Sequence, residues 1–294
     1  MMNNTKSPDT EVFEFCPLCR GVDFELYHED RYPIVKCRQC DLMFVNPRPS
    51  FASIRNMFAN EYIDTEARVE EHFVSFRKKS LAREAAILKD LLPGGGSLLD
   101  IGTASGEFLE NFKQDQHWKI TGVEPSKFAA EAARQRTGAD IKTGFLDEQD
   151  LPDNSFDAIT SLDTFCLHSF PDKDLQEINR LLKPGGLLMI EIPGLNFRLL
   201  KNKGLLARLI YGDAKRLNAG VHLFYFNRKT LSAMVVKNGF NSLGAYPEQS
   251  PLYGNKLIRL LNGIYYNVTK NLYNASNGVL NIVPKELLIY QKSH

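Results

Sequence analysis

The sequence predicts an α/β protein built on a doubly wound parallel sheet, with a small cysteine-bearing segment ahead of it. Three observations carry that expectation. From residue 97 onward strand-like runs alternate with helical ones, the rhythm of βαβ units. The first such run ends in Asp100 and the turn Gly102-Thr103-Ala104-Ser105-Gly106, a form that lets backbone approach a nucleotide-type ligand. Two C-x2-C pairs, Cys16/Cys19 and Cys37/Cys40, precede both.

In chain order, the polar residues 1 to about 10 are expected to lack structure. Residues 11–50 carry the cysteines and short extended runs, and end in the turn-rich Asn46-Pro47-Arg48-Pro49-Ser50. In residues 51–92, Ile54, Met57 and Phe58, then Phe73, Phe76, Leu81, Ala85 and Leu88, recur at helical spacing, which predicts a helical lid or linker. Pro93 and three glycines stop it. Strands are expected over 97–101, 119–124, 140–143, 156–161 and 186–192, with helices over 106–114, 126–137 and 172–182. Residues 193–226 interrupt the rhythm. A helix over 228–238, a strand over 241–246, an amphipathic helix near 256–273 and a strand near 286–291 are expected to finish the domain 93–294.

Composition sets limits on partners. In 294 residues, 36 Lys and Arg stand against 35 Asp and Glu, so no global charge draws the chain to nucleic acid or an acidic membrane. The N-terminus lacks the apolar core of a signal peptide and no run approaches a membrane span, so a cytoplasmic protein is expected. In a reducing compartment, clustered cysteines point to a metal site rather than disulfides.

The chemistry starts at Asp100. A carboxylate at the end of the first strand repels a pyrophosphate but pairs with the ammonium of a methionine moiety. That argues against a nicotinamide dinucleotide and for S-adenosylmethionine. Glu124, 24 residues on, closes the second strand where an acidic residue accepts ribose hydroxyls.

Four blocks follow in order: LLDIGTASGEFL (98–109), ITGVEPS (120–126), LPDNSFDAITSLDTFCLHSFPD (151–172) and INRLLKPGGLLMIEIP (178–193). Together they resemble the class I S-adenosylmethionine-dependent methyltransferases over roughly residues 80–245. The resemblance implies a Rossmann-like sheet of seven strands in the order 3-2-1-4-5-7-6, the last antiparallel. It also implies that Asp100 faces the methionine ammonium, and that the backbone of Gly102, Thr103, Ala104 and Gly106 faces its carboxylate. Glu124 and Pro125 would meet the ribose and Phe145 and Leu146 the adenine, while Asp163, Thr164 and Phe165 would line the reactive methyl.

Each C-x2-C knuckle offers two thiolates from a tight turn, and two knuckles complete a tetrahedral zinc site. With four sulfurs bound, no position stays open to substrate, so a structural Zn²⁺ is expected at Cys16, Cys19, Cys37 and Cys40. The segment resembles the zinc-binding N-terminus of some methyltransferases acting on sugars, polysaccharides or natural products. Cys166 reads as a packing residue.

For the acceptor, His222 and His168 are the candidate catalytic residues, His168 because it follows the fourth strand. His222 begins an H-x-F-x-F stretch that in related enzymes often closes over the acceptor, and Tyr225 and Tyr62 are further candidate contacts. Arg198, Lys201, Lys203, Arg208, Lys215 and Arg216 form a basic stretch compatible with a nucleotide- or lipid-linked acceptor. The expectation is methylation of a small-molecule or sugar-type acceptor, at oxygen. Two alternatives stand beside it: an RNA methyltransferase gripping RNA through the zinc ribbon, and a non-catalytic S-adenosylmethionine-binding regulator. A near-neutral net charge and a zinc segment with few basic residues (Arg20, Arg31, Lys36 and Arg38) weigh against the first.

Overall fold

A computed structural model describes residues 9–29, 31–61, 71–202, 217, 222–250 and 256–293. The main sheet contains β1 (Gly96–Ile101), β2 (Trp118–Glu124), β3 (Asp140–Thr143), β4 (Phe156–Leu162), β5 (Leu182–Pro193), β6 (Phe240–Glu248) and β7 (Lys285–Lys292). Their order is 3-2-1-4-5-7-6, with β7 antiparallel to both neighbours and β1 parallel between β2 and β4. This is the expected doubly wound sheet.

The helices are α1 (Phe51–Asn56), α2 (Glu71–Leu91), α3 (Lys127–Thr137), α4 (Pro171–Leu181), α5 (Leu195–Asn202), α6 (Arg228–Lys237) and α7 (Lys256–Ala275). Local chemistry sets their ends. Ser126 caps α3 by accepting from the Ala129 N–H, Gly138 ends it in a left-handed conformation, and Pro171 opens α4 at its first turn. The central strands are apolar on both faces because both are covered. Leu98, Ala158 and Met189 meet Leu81, Leu88 and Ala130 of α2 and α3. Leu99, Ile159 and Leu188 meet Leu175, Ile178, Leu231 and Met234 of α4 and α6.

One expected helix does not form. Over 106–114 the chain makes only a 3-10 turn, Leu109–Phe112. Asn111 explains it, since its Nδ2 donates to the Glu107 and Phe108 carbonyl oxygens that an α-helix would use.

The cysteine segment forms its own antiparallel sheet from Phe24–His28, Ile34–Cys37 and Met43–Val45. Its fourth strand comes from far along the chain: Phe224–Tyr225 pairs with Met43 and Phe44. The H-x-F-x-F stretch is thus engaged in packing this sheet against the core. Phe224 and Phe226 are fully buried, and Tyr225 packs with Ile34, Met43 and Val45 and donates its hydroxyl to the Leu217 carbonyl.

Arg48 joins this segment to the main sheet. Its side chain is 2% exposed, stacked between the Phe13 and Phe170 rings at 4.2 and 4.8 Å. It donates to the Ser169 carbonyl oxygen at 2.5 Å and pairs with Glu11 at 2.6 Å. Arg48→Ala removes a stacked, hydrogen-bonded guanidinium from a buried slot, and a loss of about 2–4 kcal/mol is expected. Urea unfolding measures it; a change below about 0.5 kcal/mol, the range of ordinary surface substitutions, would contradict this assignment.

Candidate functional site

The carboxyl ends of β1, β2 and β4 open into a cavity of about 650 Å³. That volume is within the roughly 300–1,000 Å³ range of small-molecule sites. Another hollow, of about 710 Å³ around Lys89, Glu110 and His117, is an open charged groove by the start of β1, the wrong edge of the sheet for such a cofactor.

The turn after β1 forms one wall. Gly102 and Gly106 take positive φ, as does Ala104, at 47°. Ala104 stands where a third glycine would be free of strain, and its N–H is held by Glu124 Oε2 at 2.9 Å. Glu124 takes the Ser126 N–H on its other oxygen, also at 2.9 Å. This carboxylate thus fixes the turn against the end of β2 while still lining the cavity.

Asp100 is buried on the cavity floor. Thr160 donates to Oδ1 at 2.6 Å and Thr103 to Oδ2 at 2.8 Å. Burial raises its pKa from 3.8 to about 6, against the pull of those two hydroxyls. Above about pH 6 it therefore carries a buried negative charge that an incoming cation would neutralise.

Among the other residues expected at the cofactor, Thr103, Pro125, Phe145, Leu146, Asp163 and Thr164 line the cavity, and Gly106 and Phe165 do not. Gly106 serves packing: a Cβ there would sit 3.1 Å from Ala133 Cα and 3.0 Å from Thr137 Cγ2 on α3. Phe165 is buried against Phe226 at 5.8 Å. Asp163 adopts φ 62° at the end of β4, and its carboxylate pairs with Arg77 at 3.1 Å and with Lys285. Those cations hold its pKa well below the usual carboxylate range despite burial. Glu191 completes the cluster, 3.0 Å from Arg77 and 3.2 Å from Lys285.

The candidate histidines part company. His168 lines the cavity, with Nδ1 2.8 Å from Asp174 Oδ2. His222 does not line it. Burial, then the neighbouring Arg198, pushes its pKa down to about 3, and Arg198 Nη1 donates to its Nδ1 at 2.8 Å. Arg198 is thereby engaged inside the protein, while Tyr62, Lys203, Arg208, Lys215 and Arg216 lie outside the described residues.

Four wall residues, Phe51, Ile54, Arg55 and Phe58, come from α1 and the turn after it. The Arg55 guanidinium stacks on Phe145 at 4.1 Å and pairs with Asp147 at 2.9 Å and with Glu148. Neither the partnership of His168 with Asp174 nor that of Asp163 with Arg77, Glu191 and Lys285 is evident from the sequence alone. A carboxylate six residues after His168 was the one local signal; the rest are long-range pairs.

The four cysteine sulfurs lie within 4.8 Å of one another, with Cys16–Cys40 at 3.5 Å and Cys19–Cys37 at 3.6 Å. Tetrahedral zinc–thiolate sites, with bonds of about 2.3 Å, place sulfurs about 3.8 Å apart, so the donor set fits that ion. The two knuckles are built alike. In each, the first cysteine's N–H donates to the carbonyl five residues on (Gly21, Leu42), and Arg20 and Asp41 take positive φ. The basic residues nearby are engaged locally: Lys36 with Asp41 at 2.9 Å, Arg38 with Glu25 at 3.6 Å, Arg20 over Phe15.

The profile of the methyltransferase-domain family matches residues 73–243. The chain is 30% identical over 107 residues to the 2-methyl-6-phytyl-1,4-hydroquinone methyltransferase of Synechocystis, covering 34% of this chain and 33% of that protein. It is 32% identical over 127 residues to the demethylmenaquinone methyltransferase of Staphylococcus haemolyticus, covering 40% and 52%. The chain thus spans about half the length of these relatives or less. A phosphoethanolamine N-methyltransferase of Haemonchus contortus, solved with S-adenosyl-L-methionine, superposes with a TM-score of 0.55 at 19% identity, covering 86% of this chain and 63% of that one. That last likeness is one of fold.

Proposed function

This chain belongs to the class I S-adenosylmethionine-dependent methyltransferases, and from that premise we propose that it methylates a hydroxyl oxygen on a small, largely apolar acceptor. The observation that carries the reading is the His168–Asp174 pair in the wall of the same cavity that holds Asp100 and Glu124. S-adenosylmethionine, when bound, supplies an electrophilic methyl group. Asp100 receives its ammonium, Glu124 its ribose hydroxyls, and Phe145 and Leu146 flank its adenine.

With Nδ1 donating to Asp174, the His168 Nε2 is the nitrogen left to accept the acceptor's proton. Asp174 fixes the ring and stabilises the imidazolium that forms. Phe51, Leu167 and Phe170 line this side of the cavity, favouring an aromatic or hydroquinone-type ring over a bare sugar. The curated relatives, whose names specify a hydroquinone and demethylmenaquinone, support a ring-bearing acceptor of this kind. Arg198, half-buried, spends its Nη1 on His222, which supports an apolar acceptor over a nucleotide-linked one.

Cys16, Cys19, Cys37 and Cys40 are proposed to hold one structural zinc ion, supported by the sulfur spacing.

His168→Asn is expected to lower kcat on a phenolic or hydroquinone acceptor about 10²–10⁴-fold, while S-adenosylhomocysteine affinity stays within about twofold. Asp174→Asn should cost kcat in the same direction. Methyl transfer from labelled cofactor across phenols, hydroquinones and sugars measures both. Unchanged kcat in His168→Asn would remove the histidine from the chemistry.

A further inference from the structure

Helix α2 carries a carboxyl group that the fold buries without giving it a cation. Where α2 crosses the ends of β4, β5 and β6 and the start of β7, Glu84 meets Asp163, Glu191, Glu248, Arg77, Arg83 and Lys285. Four carboxyls thus face three cations, and the cations are spent on the other three. Arg77 and Lys285 each pair with both Asp163 and Glu191. Arg83 pairs with Glu248 at 3.1 Å, and the same nitrogen donates to the Tyr266 hydroxyl of α7 at 3.4 Å. Glu84 is fully buried, and among the described residues no cation pairs with it. Its one hydrogen bond comes from the Ser80 hydroxyl, which donates to Oε1 at 2.9 Å.

A second observation points the same way. Glu84 Oε2, Glu191 Oε1 and Glu248 Oε1 are buried with no hydrogen-bond partner. Three bare acceptors cannot satisfy one another, whereas a proton on one of them supplies a donor. Glu84 is the group to carry it, because a buried carboxylate without a cation is the most costly to leave ionised. Burial and the nearby Glu191 and Glu248 hold its proton on, against the pull of Arg77 and Lys285. A metal ion would need three of these groups drawn into one coordination sphere. Among the described residues only the cysteines form such a group.

The position of Glu84 on α2 gives the proton a consequence. Arg77 and Leu81, from the same helix, stand in the wall of the cofactor cavity. Seven residues separate Arg77 from Glu84, so both lie on the face that α2 turns to the sheet. We propose that Glu84 is a positioning residue that acts as a neutral carboxylic acid: its O–H, through a bridging water, answers Glu191 Oε1 and Glu248 Oε1 and so docks α2 with Arg77 set in the cavity wall.

Three measurements on the full zinc-loaded chain test it. At pH 7 the infrared spectrum of the wild type should carry a protonated-carboxyl carbonyl stretch that Glu84→Gln lacks. Denaturant unfolding gives the second reading. An acid whose folded pKa lies above its unfolded value of 4.5 contributes fully at low pH and loses that contribution as pH rises. The folding constant of Glu84→Gln relative to wild type should therefore climb about tenfold per pH unit above pH 5, with Asp100 cancelling because both proteins carry it. Third, Glu84→Ala should weaken S-adenosylhomocysteine binding at least about fivefold at pH 7, while Glu84→Gln stays within about twofold. Only this last arm rests on the cofactor assignment; the infrared and unfolding arms stand without it. No carboxyl band lost in Glu84→Gln, a folding ratio flat with pH, or Glu84→Gln binding as poorly as Glu84→Ala would each overturn the proposal.

Discussion

Asp100→Ala is expected to weaken S-adenosylhomocysteine binding about a hundredfold, read by calorimetric titration at pH 7. The size follows from removing one partner of a buried charge pair, on the order of 2–5 kcal/mol. Wild-type pH dependence gives an independent reading. Because burial lifts the Asp100 pKa to about 6, the form that pairs with an ammonium is lost below that pH. Affinity should therefore fall about fivefold between pH 6 and pH 5, and again above about pH 8 as the ligand's α-amino group deprotonates. Stability of the ligand-free protein runs the other way. A carboxyl whose folded pKa exceeds its unfolded value of 3.8 contributes fully at low pH and loses that contribution as pH rises through about 6. The loss amounts to about 3 kcal/mol. Asp100→Asn should abolish that term, gaining on wild type in melting temperature at pH 8 relative to pH 4 while binding cofactor poorly. A cofactor affinity flat from pH 5 to 7 in the wild type would contradict the role given to this carboxyl.

Cys37→Ser is the second large effect. Cys37 is fully buried, and its sulfur is one of four positioned for a single ion. The variant is expected to fall from one bound zinc per chain to none by elemental analysis, and to lose about 3–5 kcal/mol or more of stability. Activity should fall with it, although no cysteine of this group lines the cavity. The cause is mechanical. The cysteine sheet leads through Arg48 into α1, and Phe51, Ile54, Arg55 and Phe58 form the cavity wall that stacks on Phe145. A metal-free, fully stable and active Cys37→Ser protein would defeat the zinc assignment.

Residues whose roles follow from local pattern were readable in the sequence. Asp100 and Glu124 stand at the ends of apolar runs, and the turn between β1 and its neighbours has the glycines that positive φ demands. The strand order followed from the resemblance, and the C-x2-C spacing announced the sulfur cluster. Roles created by distant pairing were not readable. Arg48 looks like any turn residue until Phe13 and Phe170 close on it from opposite sides. Phe224 and Tyr225 read as acceptor-facing aromatics because nothing local shows that Met43 and Phe44 lack a neighbouring strand. His222 and His168 are equal as isolated letters. What separates them is a burial that pushes one down to about 3, and a cavity that receives the other beside Asp174.

One cavity, walled jointly by the β1 turn, the end of β4 and the helix following the cysteine segment, is proposed to receive the cofactor. Amide hydrogen exchange of the zinc-loaded protein with and without S-adenosylhomocysteine tests it most directly. Added protection is predicted in 51–58, 100–108, 145–147 and 163–170, with 256–280 unchanged. Protection absent from both 51–58 and 100–108 while the ligand is bound would place the site elsewhere and contradict the account.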